Sequence, residues 1–111
     1  MPAVPATEPV QIWLWAWERP EDLRFVPQDV GVAFLAKTMV LRDDGVTHLP
    51  RRQPLRVRPG QPLVAVVRIE NDRGQRPATL SEAVRDRLVD RLLEAGTMDG
   101  VGGLQIDFDA T

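Results

Sequence analysis

The chain contains no cysteine, one histidine, one lysine and no apolar run long enough to cross a membrane as a helix. Without cysteine there are no disulfides, no thiolate zinc sites and no cysteine nucleophile, and the redox compartment stays open. A membrane helix needs about 18 or more consecutive apolar residues, so none is expected. The start, Met-Pro-Ala-Val-Pro-Ala-Thr-Glu-Pro, lacks the basic stretch and apolar core of a secretory signal. The compartment is therefore unknown from sequence. The lone histidine, His48, has no second His or Cys at ligand spacing and reads as a surface residue. A net charge of −2 and a pI of about 5.3 give no global basic field for nucleic acid. Basic charge is nearly all arginine, which we attribute to genomic base composition. The cluster Arg51, Arg52, Arg56 and Arg58 lies among prolines without interleaved aromatics and reads as a solvated loop. At 111 residues the chain is too short for a closed eight-stranded α/β barrel, which takes about 250. With 43% hydrophobic and 27% charged residues it has the composition of a folded domain.

What is present is a succession of apolar runs separated by turn signals. Residues 1–10 form a Pro-rich leader expected to be flexible or extended. From Gln11 to Trp17, Ile12, Leu14 and Ala16 share one parity and Trp13, Trp15 and Trp17 the other. Apolar residues on both faces predict a buried strand of a parallel sheet, with Trp13 and Trp15 in the core. Arg19-Pro20-Glu21-Asp22 has the proline and acids of a short helix start. Val30 to Leu41, rich in β-branched residues, predicts a second strand, with a helix as the alternative. The turn signal Asp43-Asp44-Gly45 followed by Val46 to Leu49 predicts a short return strand, hence a hairpin. A loop follows, with an extended stretch at Leu55 to Arg58, and Leu63 to Ile69 is the plainest strand pattern in the chain. Thr79-Leu80-Ser81-Glu82 fits a capping box opening a helix to about Ala95, with Leu80, Val84, Leu88 and Leu92 on one face and Gly96 closing it. Leu104 to Phe108 predicts the last strand. Strands alternating with helical segments imply an α/β fold with parallel pairing.

In such folds the site gathers at the carboxyl ends of the strands. Those ends carry Trp17-Glu18, then Lys37 and Thr38, then Arg68 and Glu70, then Asp107 and Asp109. Asp107 and Asp109 stand two residues apart on a strand, on one face, with Cα atoms about 6.6 Å apart. Two carboxylates that close raise one pKa, which suits an acid/base pair or an oxygen-ligated divalent cation, the competing reading being an Asp107–Arg68 ion pair and a turn cap at Asp109. Glu70 is a candidate acid or acceptor for a sugar hydroxyl, Lys37 and Arg68 candidate substrate-binding cations, and Trp17 a candidate stacking surface for a sugar ring. A structural ion pair for Glu70 and a solvated strand end for Lys37 are the plain alternatives. No cofactor is called for.

Two further comparisons rest on motifs. Asp107, Asp109 and Thr111 resemble the Asp-x-Asp-x-Thr nucleophile loop of haloacid-dehalogenase-like phosphatases. That resemblance implies metal-dependent phosphoryl transfer, although in that family the loop follows the first strand and here it follows the last. Across residues 11–111, the blocks Trp13-Leu14-Trp15, Val32-Ala33-Phe34-Leu35-Ala36, Arg51-Arg52-Gln53-Pro54-Leu55, Val66-Val67-Arg68-Ile69-Glu70 and Gln105-Ile106-Asp107-Phe108-Asp109-Ala110 resemble, in order, a bacterial family of unknown function that looks like a glycoside-hydrolase-type (β/α) barrel. Against the Asp-Gly-x-Asp-x-Asp-x-Glu motif of chitinase-like barrels, Gly102 and Gln105 stand at the first two acids. Asp107 keeps the third, and Asp109 takes the place of the catalytic Glu, one methylene shorter.

The resemblance implies the amino-terminal half of a (β/α)8 barrel. It would have about four parallel strands, a hairpin after the second, and a domain over 11–111 cut after strand four. Its parent would be a glycoside-hydrolase-like enzyme with Asp109 as acid, Asp107 as partner and Glu70, Arg68, Lys37 and Trp17 around the substrate. The fragment alone would be inactive. The alternative is a non-catalytic carbohydrate-binding or interaction module. A polysaccharide ligand and self-association through exposed strand edges are the expected partners.

Overall fold

The computed structural model describes residues 12–17, 19–42, 45–71 and 81–109. The leader, Glu18, the turn residues Asp43 and Asp44, the loop 72–80 with the first half of the expected capping box, and Ala110 and Thr111 lie outside them. The elements in chain order are β1 (Trp13–Ala16), β2 (Glu21–Asp22), β3 (Gly31–Arg42), β4 (Gly45–Pro50), β5 (Leu55–Arg56), β6 (Leu63–Asn71), α1 (Glu82–Gly96) and β7 (Val101–Asp109).

The main sheet runs β1-β3-β6-β7, all parallel, and β4 folds back antiparallel on β3. β3 organises it. Its first four residues pair with β1, its last six with β4 along the same edge, and its other side with β6 over nearly its whole length. Being flanked on both sides, it is buried from Gly31 to Leu41 apart from a half-buried Thr38.

This architecture is not half of a (β/α) barrel. Such a half would alternate each strand with a helix. Among the described residues there is one helix, α1, and one strand–helix–strand unit, β6-α1-β7. The expected helix at residues 19–22 is instead β2, paired in parallel with β5 as a separate two-stranded sheet. Its acids serve arginines two residues away rather than a helix N-terminus: Arg19 pairs with Glu21 and Arg24 with Asp22 at 2.7 Å. The backbone N–H groups of Glu21 and Leu23 donate to the carbonyls of Pro54 and Arg56 at 3.0 and 2.8 Å. A chain committed to that ladder cannot also close helical turns. The connection from β3 to β6 likewise holds strands and no helix.

The core lies between the main sheet and α1. Val32, Phe34 and Ala36, then Met39 and Leu41, face it from β3, and Ala65, Val67 and Ile69 from β6. The parity changes because β3 bulges: Leu35 pairs with Val66 but Lys37 with Val67, leaving Ala36 as the extra residue. α1 starts at Ser81, whose hydroxyl accepts the Val84 N–H at 3.2 Å, and presents Val84, Leu88 and Ala95 to the core with Leu92 against it. Each Val, Leu, Ile, Phe or Met among these contributes about 1.5–3 kcal/mol on full burial.

Candidate functional site

The helix covers one face of the main sheet. On the other face, register puts Trp13 beside Gly31 and Trp15 beside Ala33. Trp17 continues the row just beyond β1, its ring 6.2 Å from that of Trp15 at 53°. All three indoles are partly exposed, at 39%, 52% and 41%. The expectation that Trp13 and Trp15 are core residues is therefore corrected. β1 is an edge strand, and only its Leu14/Ala16 face, the face that α1 covers, meets the core.

Two details fix the row. The Trp13 ring lies on Gly31, where a Cβ would overlap it. Arg51 clamps the end of β1: its guanidinium donates to the carbonyls of Trp17 at 2.6 Å, Arg19 at 2.7 Å, Leu35 at 3.3 Å and Ala16 at 3.4 Å, while its Nε donates to the Gln53 carbonyl at 2.8 Å. Its backbone N–H takes the bulge carbonyl of Ala36 at 2.8 Å. Arg51 is a positioning residue for Trp17 that sequence reasoning assigned to a solvated loop. Arg58 of that basic cluster also acts structurally, its side chain donating to the Arg24 carbonyl.

The polar end of this face is built by register. Thr38, Arg68 and Asp107 are neighbours across β3, β6 and β7, and the next row holds Val40, Glu70 and Asp109. Arg68 Nε donates to Glu70 Oε1 at 3.1 Å, and its guanidinium carbon lies 6.0 Å from the centre of the Trp17 ring, in cation–π range. Trp17, Leu35, Thr38, Leu49, Arg68 and Glu70 line an open groove of about 600 Å³ here, with Arg52 and Gln53 at its margin.

Of the residues assigned to the site from sequence, Trp17, Arg68 and Glu70 come together, with Asp107 beside Arg68 in register. Asp109 is placed by its strand position next to Glu70, and its side chain lies outside the description. Lys37 is elsewhere. The bulge turns it to the helix face, where it is buried and Nζ donates to the Arg91 carbonyl at 3.0 Å and pairs with Glu94 at 3.5 Å. Glu94 is held below the usual carboxylate range by the hydrogen bond from Arg91 and by the nearby Lys37 charge. Among the described residues no three His, Asp or Glu side chains gather as a metal site, and no helix is long and apolar enough to cross a membrane. No family model, curated protein or solved structure matches the chain.

Proposed function

We propose that this chain is a carbohydrate-binding module whose platform is the tryptophan face and whose polar rim is Thr38, Arg68 and Glu70. The observation that carries this reading is the row of three part-exposed indoles on one sheet face, ending beside a paired arginine and carboxylate. A pyranose ring presents a face of C–H bonds that packs on an indole, while its hydroxyls seek donors such as Arg68 and acceptors such as Glu70. Tryptophan supplies large apolar area with little side-chain entropy to lose. An open face, rather than an enclosed cavity, suits a chain ligand more than a small molecule. The row offers successive stacking positions about 6.6 Å apart along an extended strand. Without the barrel there is no ring of strand ends to converge on a scissile bond, which favours binding over hydrolysis.

A second reading keeps hydrolysis. Strand register sets Glu70 beside Asp109 and Asp107 beside Arg68, which gathers acids at one strand end as paired-carboxylate hydrolysis needs.

Affinity electrophoresis and pull-down against cellulose, chitin, xylan and soluble glucans test both. The binding reading expects retention by at least one glycan, unchanged by Asp109→Asn, with no reducing ends released. Trp15→Ala and Trp17→Ala should each weaken it about tenfold or more, the size of one lost anchor residue. Retention by no glycan overturns the proposal. Release of reducing ends that stops in Glu70→Gln or Asp107→Asn establishes the hydrolytic reading instead.

A further inference from the structure

The opposite edge of the main sheet carries a different surface. β7 pairs with β6 on one side, and among the described residues nothing pairs with its other side. It is nine residues long and carries no Lys and no Pro; its guards are a bulge at Gly102 and the acids near its end. Register puts Leu104, Ile106 and Phe108 on the helix face, opposite Ala65, Val67 and Ile69. α1 extends this stripe. Arg91 and Glu94 lean toward Lys37 on β3, so at 100° per residue Val89 and Leu93 lie on the other flank, with Gly96, which abuts Leu104. Val89, Leu93, Leu104, Ile106 and Phe108 are between 37% and 58% exposed. Single exposed apolar residues need no explanation, but five along one open backbone edge form a patch of the kind that marks an interaction surface.

We propose that a second copy of this chain covers the edge, with β7 pairing antiparallel to β7 of the partner about a two-fold axis at Gln105. The strand is self-complementary in that register. Leu104 falls opposite Ile106 of the partner subunit, and beyond them Phe108 meets the bulge at Gly102 of the partner subunit, where no side chain blocks the ring. On the other face Asp107 falls opposite Gly103 of the partner subunit, so no acid opposes an acid. A two-fold axis at Asp107 would set two carboxylates face to face, and the charges select against it. The regular ladder from Gly103 to Asp107 spans about 17 Å, and the strand ends continue beyond the bulge. With the α1 flank above, the two copies bury on the order of 1,000 Å² or more, at the lower bound of specific interfaces. The contact is isologous and closed, so it ends at a dimer and leaves no free β7 edge.

The absence of cysteine makes the test clean. Sedimentation velocity of the full chain up to about 200 µM should show a concentration-dependent dimer of micromolar Kd, and Ile106→Lys should shift it to monomer. Gln105→Cys, at the axis, should form a disulfide-linked dimer under mild oxidation, because directly opposed Cα atoms sit about 4.5–5.5 Å apart, within disulfide range. Arg87→Cys, on the solvent side of α1, should not. If Ile106→Lys fails to fold, the cysteine pair still decides. A monomer at the highest concentration, assemblies that persist in Ile106→Lys, or cross-linking at position 105 no faster than at position 87 overturns the proposal.

Discussion

At the residue scale, two side chains decide how the molecule behaves. Arg51 satisfies five backbone carbonyls from one guanidinium, tying the end of β1 and Trp17 to the β3 bulge. Hydrogen bonds from a charged donor are worth about 1.5–3 kcal/mol each when lost with their partners left dry, but here several carbonyls can turn to water. Arg51→Ala should therefore cost about 2–3 kcal/mol in denaturant melts, and Arg51→Lys, which cannot fork, should recover less than half. A cost below about 0.5 kcal/mol would mean the clamp is incidental. His48 is the second. It sits on β4 facing α1, its Nε2 is buried without a hydrogen-bond partner, and its pKa is lowered below 6.5 by burial and by the charges of Lys37 and Arg91, against an opposing pull from Glu94. A depressed histidine binds fewer protons folded than unfolded. Its contribution is complete above pH 6.5 and is lost as pH falls through that value toward the folded pKa. Melting temperature should drop between pH 7.5 and 5.5, and His48→Gln should flatten that slope. The Glu94 and Asp22 carboxylates, also depressed (Asp22 to about 2, by its Arg24 hydrogen bonds), act only at more acid pH, so they do not confuse the window. A slope unchanged in His48→Gln would assign it to other groups.

At the scale of elements, the apolar runs at β3 and β6 and the helix period at α1 were legible because burial dictates their residues directly, and β1 and β7 were legible from strand-forming residues whose large side chains stay exposed. What was not legible was relational. Glu21 and Asp22 look like a helix start until the β5 partner thirty-odd residues on is known. The Ala36 bulge inverts the facing of everything after it, which is why Lys37, read by parity with the site, belongs to the helix face. Asp107, Arg68 and Glu70 were placed together because they end neighbouring strands, and that inference depends only on strand order. The tryptophans misled because two apolar parities look alike whether a face is covered by a helix or open to a ligand. Gly31 shows the difference. It seats the Trp13 ring where any Cβ would displace it, a pairing in which the aromatic shields glycine backbone. Gly31→Ala should expel the ring, red-shift tryptophan emission and weaken glycan retention several-fold while far-UV dichroism stays the same. Unchanged emission would show that Trp13 is not seated there.

At the scale of the whole molecule, a sheet with a helix on one side has two unmatched surfaces, the tryptophan face and the β7 edge. If both readings hold, they combine. Antiparallel pairing in the plane of the sheet keeps both tryptophan faces on the same side, with the two β1 strands some 30–35 Å apart at the ordinary strand spacing. One polysaccharide chain reaching both platforms would be held with a gain from effective concentration rather than from new contacts. Ile106→Lys should then lower retention by long glycans more than binding of short oligosaccharides, whereas Trp17→Ala should lower both.

The most direct test of the central claim is a tryptophan-fluorescence titration of the full chain with each glycan that retains it in affinity electrophoresis. All three indoles lie on the proposed platform, so the whole emission reports on it. Glycan stacking on these indoles gives a saturable blue shift, with the apparent Kd raised about tenfold or more by Trp17→Ala. Saturable binding that leaves the emission unmoved, or that survives Trp17→Ala unchanged, would contradict the proposed platform.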